Sequence, residues 1–374
     1  MNIIDSALHR EERAIFELRE LYEQAGYRKY KMSKFEEYDL YLENKRFRPG
    51  AQVVTFTDPN GRLMALKPDV TLSIAKNVPT EPTEPEKVYY NENVYRTPRG
   101  ADEFKEIMQV GLECIGRVDL YSEYEAVSLA CRSLQKLSEE NVMVVSHMGF
   151  VAGLMEGFEL PEPLCEKLLR CIGHKNAHEV TRLCRKAGVC DENAQKLVSL
   201  TTLCGELNDT IENARKIAVN DKMCDALDEL DALAQVLSDD EKRAIRLDFS
   251  VVNDLAYYNG LIFQGFIGGV PSAILSGGRY DNLMEKLGKC CQAIGFAVYL
   301  DELERCDTGE PDYDMDVLLL YDEGADVSKL AGAVKMLSQN GQRVRVQTVR
   351  SEMLRAKQVL HLGDGGLEIL ETND

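Results

Sequence analysis

Residues 150–240 of this chain are rich in Leu, Ala, Glu and Lys and poor in β-branched side chains, yet β-rich runs stand on both sides of them. Upstream, VVTFTDPNGRLMALKPD holds two short strand-like runs around Asp58, Pro59, Asn60 and Gly61, the composition of a hairpin with a four-residue loop. A second hairpin follows, with strands at 87–96 and 106–115 joined by TPRGADEFK. Downstream, strand character returns at Ile245 and runs through VVNDLAYYNGLIFQGF, SAILSGG and IGFAVYL, with Gly268, Gly269 and Pro271 marking a turn. Each run alone leaves one apolar face uncovered, so the downstream strands are expected to pair with the upstream hairpins. The expectation is an α+β fold: an antiparallel sheet flanked by helices and interrupted by a separate helical insertion.

The flanking helices are legible from their periodicity. Ile15, Leu18, Leu21, Tyr22 and Ala25 make one face of a helix over 5–25, with Gly26 placed where helices commonly stop. Val118, Tyr121, Ala126, Leu129, Leu134 and Leu137 mark a second helix over 119–138, leading into the strand VMVVS. After CDTGEPDYD the pattern changes to strand MDVLLLY, helix VSKLAGAVKMLSQNG and strand QRVRVQTV, a small α/β segment. The predicted organisation is a core over 1–310 containing the insertion, followed by a small truncated α/β domain over 313–374.

Composition narrows the function. A hydrophobic share of 44% supplies cores and a charged share of 29% covers surfaces, as in a soluble globular protein. The start MNIIDSALHREER lacks a basic, apolar leader, and no apolar run approaches the ~20 residues that span a bilayer, so a cytoplasmic protein without membrane contact is expected. The net charge of −19 opposes nucleic acid, whose binding rests on Lys and Arg neutralising phosphates. The 11 cysteines include no CxxC pair and read as reduced and structural. His174 and His178 have i, i+4 spacing but no nearby ligand pattern, so no metal site is expected.

Candidate chemistry begins in EIMQVGLECIG. Strand alternation sends Met108, Val110, Leu112 and Cys114 to one face and Gln109, Gly111 and Glu113 to the other. Gly111 leaves room between an amide and a carboxylate, which suits a small polar ligand; a solvated outer face with a chance glycine is the alternative. Arg96 and Arg99, at the end of the partner strand and in its loop, suit either a clamp for a phosphate or carboxylate or a solvated turn. Tyr257 and Tyr258, read as strand neighbours, point to opposite faces, so at most one lines a pocket. In AIGFAVYLDELER a buried strand runs into a helix start crowded by Asp301, Glu302 and Glu304. Helix starts attract anions, and these carboxylates would repel a nucleotide.

Taken together, these residues resemble a family. The hairpin with Arg96 is similar to motif 2 of the class II aminoacyl-tRNA synthetases, and AIGFAVYLDEL is similar to motif 3. LKPDVT, MQVGLEC, LAYYNGLIF and GGRYDNLMEKLG resemble, in the same order, segments of the histidyl-tRNA synthetase catalytic domain. The similarity covers roughly residues 5–305. It implies a class II synthetase-like sheet and a histidine pocket formed by Asp69, Thr71, Gln109, Glu113, Tyr257 and Tyr258. Asp69 and Gln109 would hold the α-amino group, while Glu113 and a tyrosine hydroxyl would face the imidazole.

The nucleotide side departs from that family. Glu302 stands at the motif 3 arginine, Asn253 at the arginine of the RGLDYY signature and Ala256 at its acidic member. Pro98 takes the place of the glutamate after the motif 2 arginine, and Ser33 that of the motif 1 proline. In keeping the amino-acid side and losing the nucleotide side, the chain resembles the regulatory subunits of ATP phosphoribosyltransferase. That resemblance implies no catalytic residue and no cofactor, with L-histidine as ligand. It also implies a short-form ATP phosphoribosyltransferase catalytic subunit as partner and a homodimer within a hetero-oligomer. A divergent histidyl-tRNA synthetase, a synthetase-like module of another system and a generic acidic scaffold are the alternatives.

Overall fold

The computed structural model describes residues 10–43, 53–97, 103–253, 257–304, 313–351, 353–363 and 365–373, which form two compact units divided near residue 306. In chain order the strands of the larger unit are β1 (Arg28–Lys29), β2 (Phe35–Glu37), β3 (Thr55–Thr57), β4 (Leu63–Leu66), β5 (Glu86–Arg96) and β6 (Lys105–Gly116). They continue as β7 (Asn141–His147), β8 (Cys204–Gly205), β9 (Ile245–Asp248), β10 (Leu261–Ile267), β11 (Leu275–Arg279) and β12 (Gln292–Tyr299). A nine-stranded sheet runs β1-β5-β6-β12-β11-β10-β7-β9-β8. As expected, the downstream strands join the second hairpin, through β12 on β6.

Three expectations are corrected. The sheet is mixed: β1 lies parallel to β5, and β7 to β9, because each pair is linked by a long crossover rather than a tight turn. The first hairpin forms, with Asp58 accepting from the backbone N–H of Asn60 and Arg62 and Gly61 at φ +82, but it pairs with β2 in its own three-stranded sheet. The helical insertion is not separate. Its helices Glu162–Gly173, Ala177–Ala187, Asp191–Ser199, Leu207–Arg215 and Asp221–Val236 bury Leu168, Val180, Leu197, Ile211 and Leu227, all in the same apolar cluster as Val110, Leu112 and Phe296 from the sheet.

That cluster covers one face of the sheet. The helices Arg10–Gln24 and Leu120–Leu137 lie in it through Leu18, Tyr22, Ala126, Ala130 and Leu134, and the buried Tyr22 hydroxyl meets Ser133 at 3.0 Å. Asp119 caps the second helix by accepting from Ser122 N–H. A second cluster, containing Val88, Tyr90, Ile107, Ile115, Tyr280 and Ala293, lies on the opposite face. The smaller unit adds β13 (Met315–Tyr321), β14 (Val344–Gln347), β15 (Ala356–Gly363) and β16 (Gly366–Thr372) in the order β14-β13-β15-β16, with the helix Val327–Gln339. The predicted strand, helix, strand pattern is present, extended by two further strands. Among the described residues no helix is long and apolar enough to cross a membrane, and the cysteines are free thiols.

Asn220 ties two helices of the insertion together, Met148–Gly157 and Asp221–Val236. Its side chain caps the helix Asp221–Val236 by accepting from Met223 N–H at 3.0 Å and donates to the Gly153 carbonyl at 2.7 Å. Asn220→Ala removes both bonds, and urea unfolding should show a loss of about 1–2 kcal/mol with an unchanged m-value.

Candidate functional site

The register of the central strands decides which side chains share a face. Gln109, Gly111 and Glu113 of β6 lie opposite Glu92, Tyr90 and Val88 of β5, and opposite Tyr299, Ala297 and Gly295 of β12. Directly paired residues project to the same side. This side carries the second cluster, whereas Val110, Leu112 and Cys114 belong to the first. The alternation expected of EIMQVGLECIG is therefore present.

Glu113 is the centre of the face. It is 2% exposed, and both of its oxygens accept hydrogen bonds: Oε1 from the Thr71 hydroxyl at 2.7 Å and Oε2 from the Tyr280 hydroxyl at 2.5 Å. Thr71 opens the helix Thr71–Asn77, whose start is fixed by Asp69 Oδ1 accepting from Leu72 N–H at 2.8 Å. Burial pushes the Glu113 carboxyl from an ordinary 4.5 up to about 8; the two hydroxyls oppose the rise and Asp69 adds to it. Gly295 makes the arrangement sterically feasible, since a Cβ there would overlap the Glu113 carboxylate. Gln109, 4% exposed, and Asp69, 9% exposed, complete the buried polar set.

Tyr280 was not singled out from the sequence; its signal lay in the GGRYD segment, where Tyr280 sits between two charged residues. Arg279 donates to Glu123 at 2.9 Å and to Asp281 at 2.8 Å, and Asp281 also accepts from Asn259 at 3.1 Å. In return Asn259 Oδ1 accepts from Asp281 N–H at 3.0 Å. Burial and the adjacent Glu113 hold the Tyr280 phenol well above its ordinary value. Lys67 was also missed. It is fully buried in LKPDVT and donates to Glu92 at 2.9 Å.

Two readings of the site change. The room above Gly111 is not empty, because the Tyr90 hydroxyl occupies it, 2.5 Å from where a Cβ would stand. Glycine here accommodates a cross-strand phenol rather than a ligand directly. Tyr257 and Tyr258 do not diverge: they lie outside any strand, so alternation does not govern them, and their rings meet at 4.6 Å with Tyr257 also 5.8 Å from Tyr280. Both are half-buried against the second cluster. Arg96 is half-buried with its guanidinium 5.8 Å from the centre of the Tyr299 ring. Arg99, Pro98 and Ala256 lie outside the described residues.

On the side that the resemblance assigns to a nucleotide, Glu302 accepts from the Ser272 hydroxyl at 2.9 Å, and Asn253 is exposed. The helix start at Asp301 thus presents acidic groups rather than a guanidinium. Among the described residues no group of three or more His, Cys, Asp or Glu is placed to hold a metal ion. His174 and His178 are exposed, and His174 N–H closes the helix Glu162–Gly173. A buried carboxyl, an amide, a second carboxylate and clustered phenols are groups that suit a small polar molecule bearing N–H donors.

The raised Glu113 carboxyl makes stability depend on pH. The folded chain holds this proton more tightly than the unfolded one, so the stabilisation is complete below about 4.5 and is lost as pH rises through about 8. Without ligand, wild type should lose stability from about pH 5 to pH 8 by an increment that Glu113→Gln lacks, as read from urea midpoints across that range.

Comparison with known proteins converges on one group. Residues 3–303 match the histidyl-tRNA synthetase family model. An ATP phosphoribosyltransferase regulatory subunit from Clostridium acetobutylicum is 30% identical over 347 residues, covering 88% of this chain and 83% of the relative. A crystal structure of an ATP phosphoribosyltransferase regulatory subunit/histidyl-tRNA synthetase from Bacillus halodurans superposes with a TM-score of 0.75 at 23% identity, covering 94% of this chain and 93% of that one. A chain of the ATP phosphoribosyl transferase (HisG:HisZ) complex from Thermotoga maritima gives a TM-score of 0.59 at 18% identity, covering 76% of this chain and 96% of that one. The two structural likenesses speak to the fold, a class II synthetase-like α+β architecture.

Proposed function

The chain belongs to the family of ATP phosphoribosyltransferase regulatory subunits, and we propose that it controls a separate, short-form catalytic subunit in histidine biosynthesis. Its ligand is L-histidine, bound on the face built around Glu113, and the chain catalyses no reaction itself. It acts in the cytoplasm as a homodimer within a hetero-oligomer, a symmetric platform for the catalytic subunits. The synthetase-like core to about residue 310 carries the pocket, and residues 313–374 form a truncated α/β domain.

One observation carries the histidine assignment: the buried Glu113 carboxyl, with an oxygen on each side held by Thr71 and Tyr280. An imidazole N–H brought to this group would add a further donor to the two hydroxyls, and an imidazolium would favour the charged form still more. Asp69 and Gln109 are buried on the same side and suit an α-amino group. The tyrosine pair supplies apolar walls for the ring.

Absence of catalysis is argued from charge. Stabilising a phosphoryl transition state requires positioned cations, and removing one such group commonly costs about 10²-fold or more in rate. Glu302 and Asn253 occupy the places at which the resemblance puts ATP-directed arginines, and the glutamate adds repulsion. A protein that binds histidine without transforming it acts by favouring one state of a partner, and only to the extent that its ligand distinguishes those states.

Two measurements test the proposal. Mixed with the short-form catalytic subunit, the chain should raise transferase activity and confer histidine inhibition, while Glu113→Ala leaves the complex assembled but weakens histidine binding by calorimetry about 30-fold or more. A mixture indistinguishable from the catalytic subunit alone would overturn the regulatory role. Histidine-dependent exchange of pyrophosphate into ATP should be absent from the purified chain; exchange at a synthetase-like rate would make it an enzyme.

A further inference from the structure

His147 is a buried residue that the pocket does not use. It ends β7, and strand alternation puts it on the side of Met143 and Val145, the face of the sheet opposite Glu113. The side chain is 4% exposed, and its Nε2 lies 2.9 Å from Glu229 of the insertion helix Asp221–Val236. That bond holds the Glu229 carboxyl below its ordinary value, so the carboxylate accepts and Nε2 carries the hydrogen. Among the described residues the other ring nitrogen, Nδ1, has no hydrogen-bond partner. Glu229 itself is exposed. Opening this bond would leave the carboxylate to water but strand a donor in the interior, which makes it costlier to break than an ordinary surface pair.

The residues beside His147 lead to Tyr280 through bonded contacts. Met148 N–H donates to the Gly260 carbonyl at 2.9 Å. Gly260 lies against Arg279, since a Cβ there would stand 3.0 Å from Arg279 Cδ. Asn259 N–H donates to the Arg279 carbonyl at 3.3 Å, and the Asn259 side chain is bonded in both directions to Asp281. Tyr280 stands between these two, its own N–H donating to the Ala293 carbonyl at 2.8 Å while Asp281 accepts from Ala293 N–H at 3.0 Å. Asn259 directly follows Tyr257 and Tyr258, so one clasp holds both the phenol that meets Glu113 and the ring pair beside it. Charge ties the insertion helix to the same corner: Glu229 interacts with Arg279 as well as with His147, and Arg279 is bonded to Glu123 and Asp281.

We propose that His147 and Glu229 are positioning residues of the ligand site: by tying the insertion helix Asp221–Val236 to the end of β7, they fix the Asn259–Asp281 clasp and with it Tyr280 and the tyrosine pair. The proposal rests on the histidine reading of the pocket and adds the insertion to it. Neither residue is placed to touch the ligand, because both lie on the opposite face of the sheet. Their effect is reciprocal: whatever the bond contributes to histidine affinity, bound histidine returns to the seating of the helix.

Calorimetry on the full chain with L-histidine, paired with urea unfolding, separates positioning from stability. Glu229→Ala should weaken histidine binding by about 5-fold or more. Glu229→Gln, whose amide oxygen still accepts from Nε2, should stay within about 2-fold of wild type. His147→Phe, which fills the space without the bond, should weaken binding as much as Glu229→Ala does. Asn220→Ala is the control: it destabilises the same helix at its N-terminus, away from this corner, and should leave histidine affinity within about 2-fold. Bound histidine should slow amide exchange over residues 221–236 in wild type and not in Glu229→Ala; equal slowing in the two would overturn the reciprocity. Folded Glu229→Ala or His147→Phe binding histidine as wild type does would overturn the positioning role, and so would an equal loss of affinity in Asn220→Ala, which would make it a matter of stability alone. Should wild type bind histidine no better than glycine, the underlying pocket reading fails, and this proposal fails with it.

Discussion

A carboxyl group has been placed where water cannot reach it, and much of the surrounding structure accommodates that fact. Glu113 survives burial because Thr71 and Tyr280 each give it a hydroxyl. Those donors come from a helix start and from the end of β11, brought together by a register running across several strands. The cost of an unsatisfied buried carboxylate is several kcal/mol, far above the worth of any one surface contact. The site is therefore held by the packing of the sheet as a whole rather than by a loop that could be exchanged.

The helical insertion supports the sheet from behind. It shares its apolar cluster with β6 and β12, so the face opposite Glu113 is buried by the insertion helices together with Arg10–Gln24 and Leu120–Leu137. Arg279 and Tyr280 connect the two sides at one place: Tyr280 turns to Glu113, while its neighbour reaches Glu123 on the helix Leu120–Leu137. Asn259, bonded twice to Asp281, anchors the segment bearing the tyrosine pair to the same corner.

Much of this was legible in the chain. The second hairpin was placed within a residue or two, because its alternation runs over ten residues and more, and the two faces of β6 followed from the same period. Errors arose where a local rule was applied outside its range. Tyr257 and Tyr258 were separated by a strand period they do not obey, and Gly111 was read as a vacancy because a sequence does not show that Tyr90 lies across the ladder. Lys67 and Tyr280 were overlooked for a related reason: their importance comes from partners 25 and 167 residues distant, which periodicity cannot reveal. The parallel pairing of β7 with β9 and the detachment of the first hairpin are also long-range outcomes, decided by which edges remain free once the central strands have paired.

Gly295 has a further consequence, and it concerns inheritance. As long as Glu113 is present, position 295 can hold nothing with a Cβ, since that atom would collide with the carboxylate. Shortening Glu113 would not free the position, because the backbone carbonyl of Leu112 also lies within overlap distance of where the same Cβ would stand. Side chain and backbone exclude a Cβ independently, so position 295 remains glycine whatever happens at Glu113. A descendant that had lost the glutamate would still carry this glycine, a record of how closely β6 and β12 approach at that rung of the ladder.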